Sequence, residues 1–271
     1  MKKISVGIKL ILGLVMLFAA VTALLPFVYM FLVSLTQKQL LDLHFNPAEF
    51  SFVNYERVFR NFNLLQNFGN SVIVTGGTCL LDCVVSSMAA YAFAKLPFPG
   101  RNKLFSVYLA TMMIPGQVTL IPVFTMLKNL GLLNTYAAMI FPCVGVFGVF
   151  LIRQFVVNMP DELLEAARID GCGENRIFVS IVIPLIKPVL LSLVIFTFIS
   201  SWSGFLWPLI VLTKPEMKTL TLALSALQGN YSTNYGLVMA GSAVTFLPPF
   251  LLYIVLQKQF VQGIALSGIK G

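Results

Sequence analysis

Residues 153–188 read RQFVVNMPDELLEAARIDGCGENRIFVSIVIPLIKP and hold half of the acidic residues of a strongly apolar chain. Asn158 is placed to cap a short helix with a proline and two acids at 160–162, where a missing N–H is harmless and negative charge meets the positive helix end. Gly171 follows at the position where a helix commonly ends in a left-handed residue. A second helix is predicted from about Asn175. The segment therefore predicts an amphipathic helix–turn–helix.

Outward from this segment, the chain is apolar over lengths that can cross a bilayer. Four stretches of 24 to 28 residues contain no charged residue, and a helix needs about 20 apolar residues to cross the hydrocarbon. Two further stretches are interrupted, one by Asp82 and the other by the polar sequence GNYSTNYG at 229–236, which we interpret as a loop or re-entrant turn. We predict one all-α domain over residues 1–271, with six transmembrane helices. The predicted spans are about 10–35, 72–94, 104–127, 136–153, 186–210 and 237–257.

The composition excludes several classes of protein. Charged residues make up 10% of the chain, compared with roughly 25% in soluble domains, which excludes an ordinary soluble enzyme. With six spans, 12 of the 18 basic residues fall on one side, and the positive-inside rule places that side, with both termini, in the cytoplasm. The first span is expected to remain as a signal anchor, because its apolar run exceeds that of a cleaved signal. The net charge of +8 therefore needs no nucleic-acid partner.

The sequence contains no motif for chemistry within the chain. A phosphate-binding G-x-x-x-x-G-K-[ST] loop is absent, as are H-E-x-x-H and G-x-S-x-G. We therefore predict no catalytic residues, no metal site and no enzyme activity. An ion-coupled secondary transporter usually needs several carboxylates or histidines in its spans, whereas this chain offers Asp82 alone. Such a carrier, acting without an ATPase, remains the alternative function.

The order of residues around the turn resembles a known family. Composition alone leaves open a helix lying flat on the membrane surface. However, Glu165-Ala166-Ala167, then Asp170-Gly171, then Ile183-Pro184 resemble the EAA loop of ABC importer membrane subunits. We refer to residues 158–184 as the signature loop. The rest of the chain is most similar to the smaller membrane subunit of maltose-type carbohydrate importers. Other similar segments are Ala89–Lys95, Met113–Gln117, Gly131–Thr135, Gln259–Gly263 and Gly268–Gly271.

This resemblance implies a type I ABC importer permease and a set of partners. The chain would form one half of a heterodimeric pore with a second, related permease subunit in the lipid of a bacterial cytoplasmic membrane. Two cytoplasmic ATPase subunits would bind ATP and magnesium, so that this chain needs no cofactor. An extracytoplasmic solute-binding protein would deliver the substrate, which the resemblance implies is a carbohydrate, a di- or oligosaccharide.

The resemblance also assigns contact residues. The coupling contact with the ATPase falls on Glu165, Ala166, Ala167, Asp170 and Gly171. A second contact, at the C terminus, falls on Gly268, Lys270 and Gly271. In one place the sequence departs from the family pattern. The family usually has an amide and an acid after the tryptophan of the fifth span, where this chain has serine and glycine, so a role for that acid is not carried over.

Three residues are candidates for the translocation path. Asp82 is the one carboxylate inside a predicted span, and such residues commonly serve function because their burial is unfavourable. A packing role is the other interpretation, since small polar residues surround it. Trp202 and Phe205 could stack on sugar rings, or could belong to an interfacial aromatic belt. The sequence leaves both pairs of alternatives open.

Overall fold

The computed structural model describes residues 6–36, 46–61, 63–230 and 234–268, and every regular element within them is helical. The α-helices are α1 Val6–Ser34, α2 Val53–Asn61, α3 Leu64–Lys95, α4 Arg101–Ala110, α5 Gly116–Asn129, α6 Tyr136–Ile140, α7 Val146–Val157, α8 Asp161–Ile169, α9 Glu174–Ile177, α10 Ile183–Leu185, α11 Lys187–Trp202, α12 Leu206–Val211, α13 Leu220–Asn230 and α14 Tyr235–Gly268. A π-helical turn, Phe178–Val182, joins α9 to α10. The 3₁₀ turns are Pro47–Glu49, Thr111–Met113, Phe141–Cys143 and Pro215–Met217. The predicted all-α fold is confirmed.

Three of the described helices are long and apolar enough to cross a membrane without a break, namely α1, α3 and α14. Three further candidate spans are bent pairs of helices, and the third of them begins within the signature loop rather than at residue 186. The pairs α4/α5, α6/α7 and α9–α10/α11 bend by 99°, 45° and 75°. The described residues therefore contain up to six spans if each bent pair counts as one.

The helices at the predicted spans 104–127, 136–153 and 186–210 are each interrupted, and the backbone shows where. Ile114 precedes Pro115, and both are extended rather than helical, because a proline disfavours the helical conformation of the residue before it. The second pair breaks at Val144 and Gly145, which are also extended. In the predicted span 186–210, helix α11 ends at Trp202, and α12 starts only at Leu206.

Part of the polar sequence at 229–236, which we predicted to be a loop or re-entrant turn, is helical. Gly229 and Asn230 end α13, and Tyr235 and Gly236 begin α14. Residues 231–233 lie outside the described residues. Helix α13, which precedes them, was not predicted.

Two compact units organise the contacts. The first contains the described residues of Met1–Leu64 and Leu224–Leu247. In it the buried Asn54 side chain of α2 donates hydrogen bonds to the carbonyls of Ser34 and Thr36, at 2.9 and 2.7 Å, at the C-terminal end of α1. Those carbonyls lack partners within α1, so the amide completes the helix end.

The second unit contains the described residues of Leu65–Ala223 and Pro248–Gly271, including all of α3 except Leu64. One apolar cluster surrounds the C-terminal end of α3 and includes buried residues of α4, α7, α8, α9 and α11. Another lies nearer its N-terminal end and includes Val74, Leu127 and Leu222. Helix α3 therefore contributes to both cores of this unit.

Candidate functional site

The signature loop forms the predicted pair of short helices, α8 and α9, with a tight turn between them. Gly171 has φ +80°, which confirms the predicted left-handed residue. The Cys172 N–H donates to the Ala167 carbonyl at 2.9 Å, and the Gly171 N–H donates to the Arg168 carbonyl at 3.0 Å. These bonds satisfy carbonyls at the end of α8 in the manner of a Schellman motif. The turn requires glycine for its backbone angle rather than for space, since a Cβ at Gly171 would meet nothing within 4 Å.

The prediction that Asn158 caps α8 is wrong. Asn158 ends α7, and its side chain donates to the Gln154 carbonyl at 2.7 Å. Pro160 holds the position before α8, where no side chain accepts a hydrogen bond. The two acids 161 and 162 do occupy the first turn as predicted. Their charge, rather than a cap, favours the helix start.

The two faces of α8 have different surroundings. Leu164 and Ala167 are buried in the cluster around the end of α3, together with Ile177 of α9. The opposite face exposes Glu165, Ala166, Asp170 and Gly171, and Ile169 is 86% exposed. Part of the apolar surface of the loop thus packs on the protein itself, whereas Leu163 and Ile169 are exposed. Of the five predicted contact residues, Ala167 points inward, so its small side chain serves packing within the chain.

Basic side chains gather at the C-terminal end of α3. The Arg101 guanidinium donates to the carbonyls of Ala94 and Leu96, at 3.4 and 3.2 Å, and Arg153 donates to the carbonyl of Phe93 at 3.3 Å. The last carbonyls of a helix have no partner within it and carry partial negative charge. These cations therefore complete the helix end.

Lys95, the last residue of α3, reaches the start of α8. Its ammonium donates to the Met159 carbonyl and to the Asp161 carboxylate, both at 2.6 Å. The lysine side chain is 6% exposed and that of Asp161 is 71% exposed. The hydrogen bond from Lys95 and its charge lower the pKa of Asp161 from the ordinary value of 3.8. From the sequence, Lys95 was placed among the basic residues of the cytoplasmic side and in a family-like segment, but no partner for its ammonium group was predicted.

A second polar contact joins α3 to α9. The Tyr91 hydroxyl donates to Glu174 at 2.5 Å, and the Arg168 side chain donates to the same carboxylate at 2.8 Å. Tyr91 is buried, and its ring lies against Phe178 with centroids 5.6 Å apart. No role for this tyrosine could be predicted from the sequence, because its partner Glu174 lies 83 residues away.

Asp82 lies in the middle of α3 and is buried. Its carboxylate accepts hydrogen bonds from Ser86 at 2.8 Å and from Thr197 of α11 at 2.7 Å. Gly148 of α7 faces this group, and a Cβ there would collide with Ser86 Oγ and lie 2.9 Å from Asp82 Oδ1. The arrangement joins three spans, which fits the packing interpretation of Asp82.

Asp82 also borders a cavity of about 450 Å³, along with Thr78, Thr197 and Trp207. The lining therefore offers a carboxylate, hydroxyls and an aromatic ring. Of the two predicted aromatic residues, Trp202 is buried elsewhere, stacked on Phe198 with centroids 5.5 Å apart. Phe205 is exposed outside this lining.

The remaining predicted positions are only partly described. Gly268 is the last residue of α14, whereas Lys270 and Gly271 lie outside the described residues. Within the described part of the chain, no three His, Cys, Asp or Glu residues come together as metal ligands would.

These features define a multi-pass membrane protein that carries a folded helix–turn–helix on the end of one span. Residues 83–266 match the family described as the binding-protein-dependent transport system inner membrane component. The chain belongs to this family, as the EAA-like residues predicted. The match takes in the C-terminal part of α3, the signature loop and α11.

The relatives are transport permease proteins. The chain is 39% identical, over 233 residues, to an arabinooligosaccharides transport system permease protein of Halalkalibacterium halodurans, covering 85% of this chain and 84% of that protein. It is 34% identical, over 254 residues, to a lactose transport system permease protein of Rhizobium radiobacter, covering 93% of each chain.

A solved structure shares the fold. It is a chain of a bacterial ABC transporter involved in the import of the acidic polysaccharide alginate, with a TM-score of 0.83 and 23% identity. The superposition covers 96% of this chain and 100% of that chain. The fold is therefore that of an ABC importer permease.

Proposed function

We propose that the chain is one half of the transmembrane pore of an ATP-driven importer in a bacterial cytoplasmic membrane. The observation that carries this proposal is the exposed surface of the signature loop. Leu164 and Ala167 are buried against the rest of the chain, while Glu165, Ala166, Asp170 and Gly171 are exposed to solvent. A surface so presented is suited to a partner protein. Family membership supports the identity of that partner as a cytoplasmic ATPase.

The remaining partners follow from the same proposal. A second, related permease completes the pore, and a solute-binding protein delivers the substrate from outside. Two ATPase subunits bind ATP and magnesium and hydrolyse the ATP. Lysine and arginine counts favour cytoplasmic termini, with 12 of 18 basic residues on that side. An ion-coupled carrier would instead move substrate as the purified chain alone.

The substrate is a carbohydrate, specifically a di- or oligosaccharide. Two relatives that align with most of the chain are named for arabinooligosaccharides and for lactose. The cavity beside Asp82 contains groups suited to a sugar, since hydroxyls and a carboxylate can bond its hydroxyl groups. Uptake of labelled sugars by the reconstituted complex tests this class.

The coupling role is tested by changing the turn of the signature loop. Gly171→Val forces a β-branched residue to φ +80°, and strain of this kind amounts to about 1–3 kcal/mol. We expect the ATPase activity that the substrate-loaded binding protein stimulates to fall about tenfold in the assembled complex. Strain within this range of free energy corresponds to about a tenfold change in an equilibrium. Charge reversal in Glu165→Lys is expected to act in the same direction.

Two matched variants serve as controls. Gly171→Asn keeps much of the activity, because asparagine adopts positive φ more readily than valine. Glu49→Lys reverses an exposed charge in the other unit and is expected to have no effect. Inserted permease is quantified in each case. Wild-type coupling in both Gly171→Val and Glu165→Lys would show that the loop is not the ATPase contact.

A further inference from the structure

We infer that Tyr91 and Lys95 are positioning residues that fix the signature loop to the end of α3, so that movement of the loop is passed to this span. This inference rests on the proposed function, because it assumes that an ATPase moves the loop. We call the contacting groups the polar clamp. The polar clamp consists of Tyr91, Lys95, Asp161, Arg168, Glu174 and the Met159 carbonyl.

The lysine arm of the polar clamp fixes where α8 begins. Lys95 bonds the carbonyl two residues before the helix and the side chain of its first residue, both at 2.6 Å. The ammonium is nearly buried, so these two acceptors replace most of its water. A buried cation that loses its partner is strongly unfavourable, which favours keeping the two elements together.

The tyrosine arm fixes the relation between α8 and α9. Glu174, the first residue of α9, accepts from Tyr91 with one oxygen and from Arg168, near the end of α8, with the other. One carboxylate therefore joins three helices. Bonds with an ionised acceptor are short and directional.

Apolar packing between the same elements does not fix their register equally well. Ala90, Leu164 and Ile177 share one buried cluster, but hydrophobic contact is non-directional. The polar clamp adds bonds that are satisfied in one arrangement. It thus makes the loop and the end of α3 one moving part.

The span that receives this movement is linked onward. Helix α3 is 32 residues long, and its Asp82 bonds Thr197 of α11. Displacement of the end of α3 is therefore passed to a second span at mid-height. Helix α11 also follows the loop directly in sequence, so both spans connect to it.

The test is the double variant Tyr91→Phe/Lys95→Met in the complex reconstituted in liposomes with its partner permease, ATPase and binding protein. Phenylalanine keeps the ring on Phe178, and methionine keeps an apolar stem. We expect substrate transported per ATP hydrolysed to fall about fivefold or more, the lower end of ordinary coupling between sites. Substrate-stimulated ATP hydrolysis is expected to continue.

A second double variant, Tyr91→Phe/Asp161→Asn, covers the case in which Lys95→Met lowers the amount of inserted protein. In this variant Lys95 stays bonded to the Met159 carbonyl, and of its two acceptors only the exposed Asp161 side chain is weakened. The matched control is Tyr136→Phe, which removes a hydroxyl bond of 2.7 Å to Asn70, nearer the other end of α3. The control is expected to keep the wild-type ratio of transport to hydrolysis.

The outcomes separate the inference from the proposed function. A lower ratio with hydrolysis retained supports the polar clamp. An unchanged ratio, or a proportional loss of both activities, overturns it and leaves the proposed function standing. If the wild-type chain does not assemble with an ATPase, the proposed function fails and the inference fails with it.

Discussion

The two ends of α3 are held by different chemistry. At the end distant from the signature loop, Asn70 donates to the carbonyls of Glu216 and Lys218, and Ser71 accepts from the Leu220 N–H. These groups are neutral, and both side chains are buried. At the loop end, the polar clamp uses ionised groups whose carboxylates are exposed. One end of α3 is therefore fixed independently of pH, whereas the other depends on charged groups that solvent reaches.

The largest effect is expected at the neutral end. Asn70→Ala leaves two carbonyls without this donor and the Tyr136 hydroxyl without its acceptor. Because each unpaired buried group is unfavourable, the free energy of unfolding should fall by about 3 kcal/mol. Denaturant titration of the permease in detergent micelles measures this change.

A matched asparagine provides the control for that measurement. Asn102→Ala changes an exposed side chain, and its effect should stay within about 0.5 kcal/mol. If the two variants were equally stable, the neutral contacts would not anchor α3, and the comparison between its ends would fail.

A smaller effect is expected at the middle of α3, where packing rather than hydrogen bonding is changed. Gly148→Ala introduces a methyl group against Ser86 and Asp82. Overpacking of this kind should lower the free energy of unfolding by about 2 kcal/mol. Gly76→Ala, where a Cβ meets nothing within 4 Å, should leave it unchanged or slightly raised. Equal effects of the two changes would show that α7 yields at this contact.

The smallest effect is expected from pH at the loop end. The pKa of Asp161 is lowered in the folded chain, so its contribution to stability is present above the ordinary carboxyl pKa of 3.8 and is lost as pH falls through the lower folded value. The stability difference between wild type and Asp161→Asn should therefore shrink as the pH falls below 3.8.

The Asn70→Ala difference serves as the reference in the same titration. It involves an amide, which does not ionise, so it should change little over this range. A wild-type to Asp161→Asn difference that stayed constant into strong acid would mean that the carboxylate charge does not hold the loop end.

The sequence allowed prediction of features that depend on local pattern. Uncharged stretches predicted six spans, and the described residues contain up to six if each bent pair counts as one. Gly171 was placed correctly in a left-handed turn because its position after an amphipathic helix requires that conformation. The break at Pro115 also had a local signal, but the long apolar run around it favoured a continuous helix. Asn158 was assigned to the wrong helix, since a residue between two helices can end one or begin the next.

The site contacts could not be predicted in the same way. Asp82 was identified as unusual, yet its partner Thr197 lies 115 residues away. The buried position of Trp202 similarly depends on rings from distant sequence, such as Phe68. Periodicity gives the face of a helix on which a residue lies, but which helix it meets is decided by the packing of the whole unit.

The basic residues at the C-terminal end of α3 connect the biogenesis of the chain with its finished state. By the positive-inside rule, Lys95, Arg101 and Arg153 belong to the charges expected to select an orientation as a segment enters the membrane, before any tertiary contact exists. In the folded chain all three donate to backbone carbonyls. The same cations are thus expected to act twice, first as topological signals and later as structural donors. Replacing one by a neutral donor is therefore expected to weaken the orientation signal, even if every hydrogen bond of the folded chain were preserved.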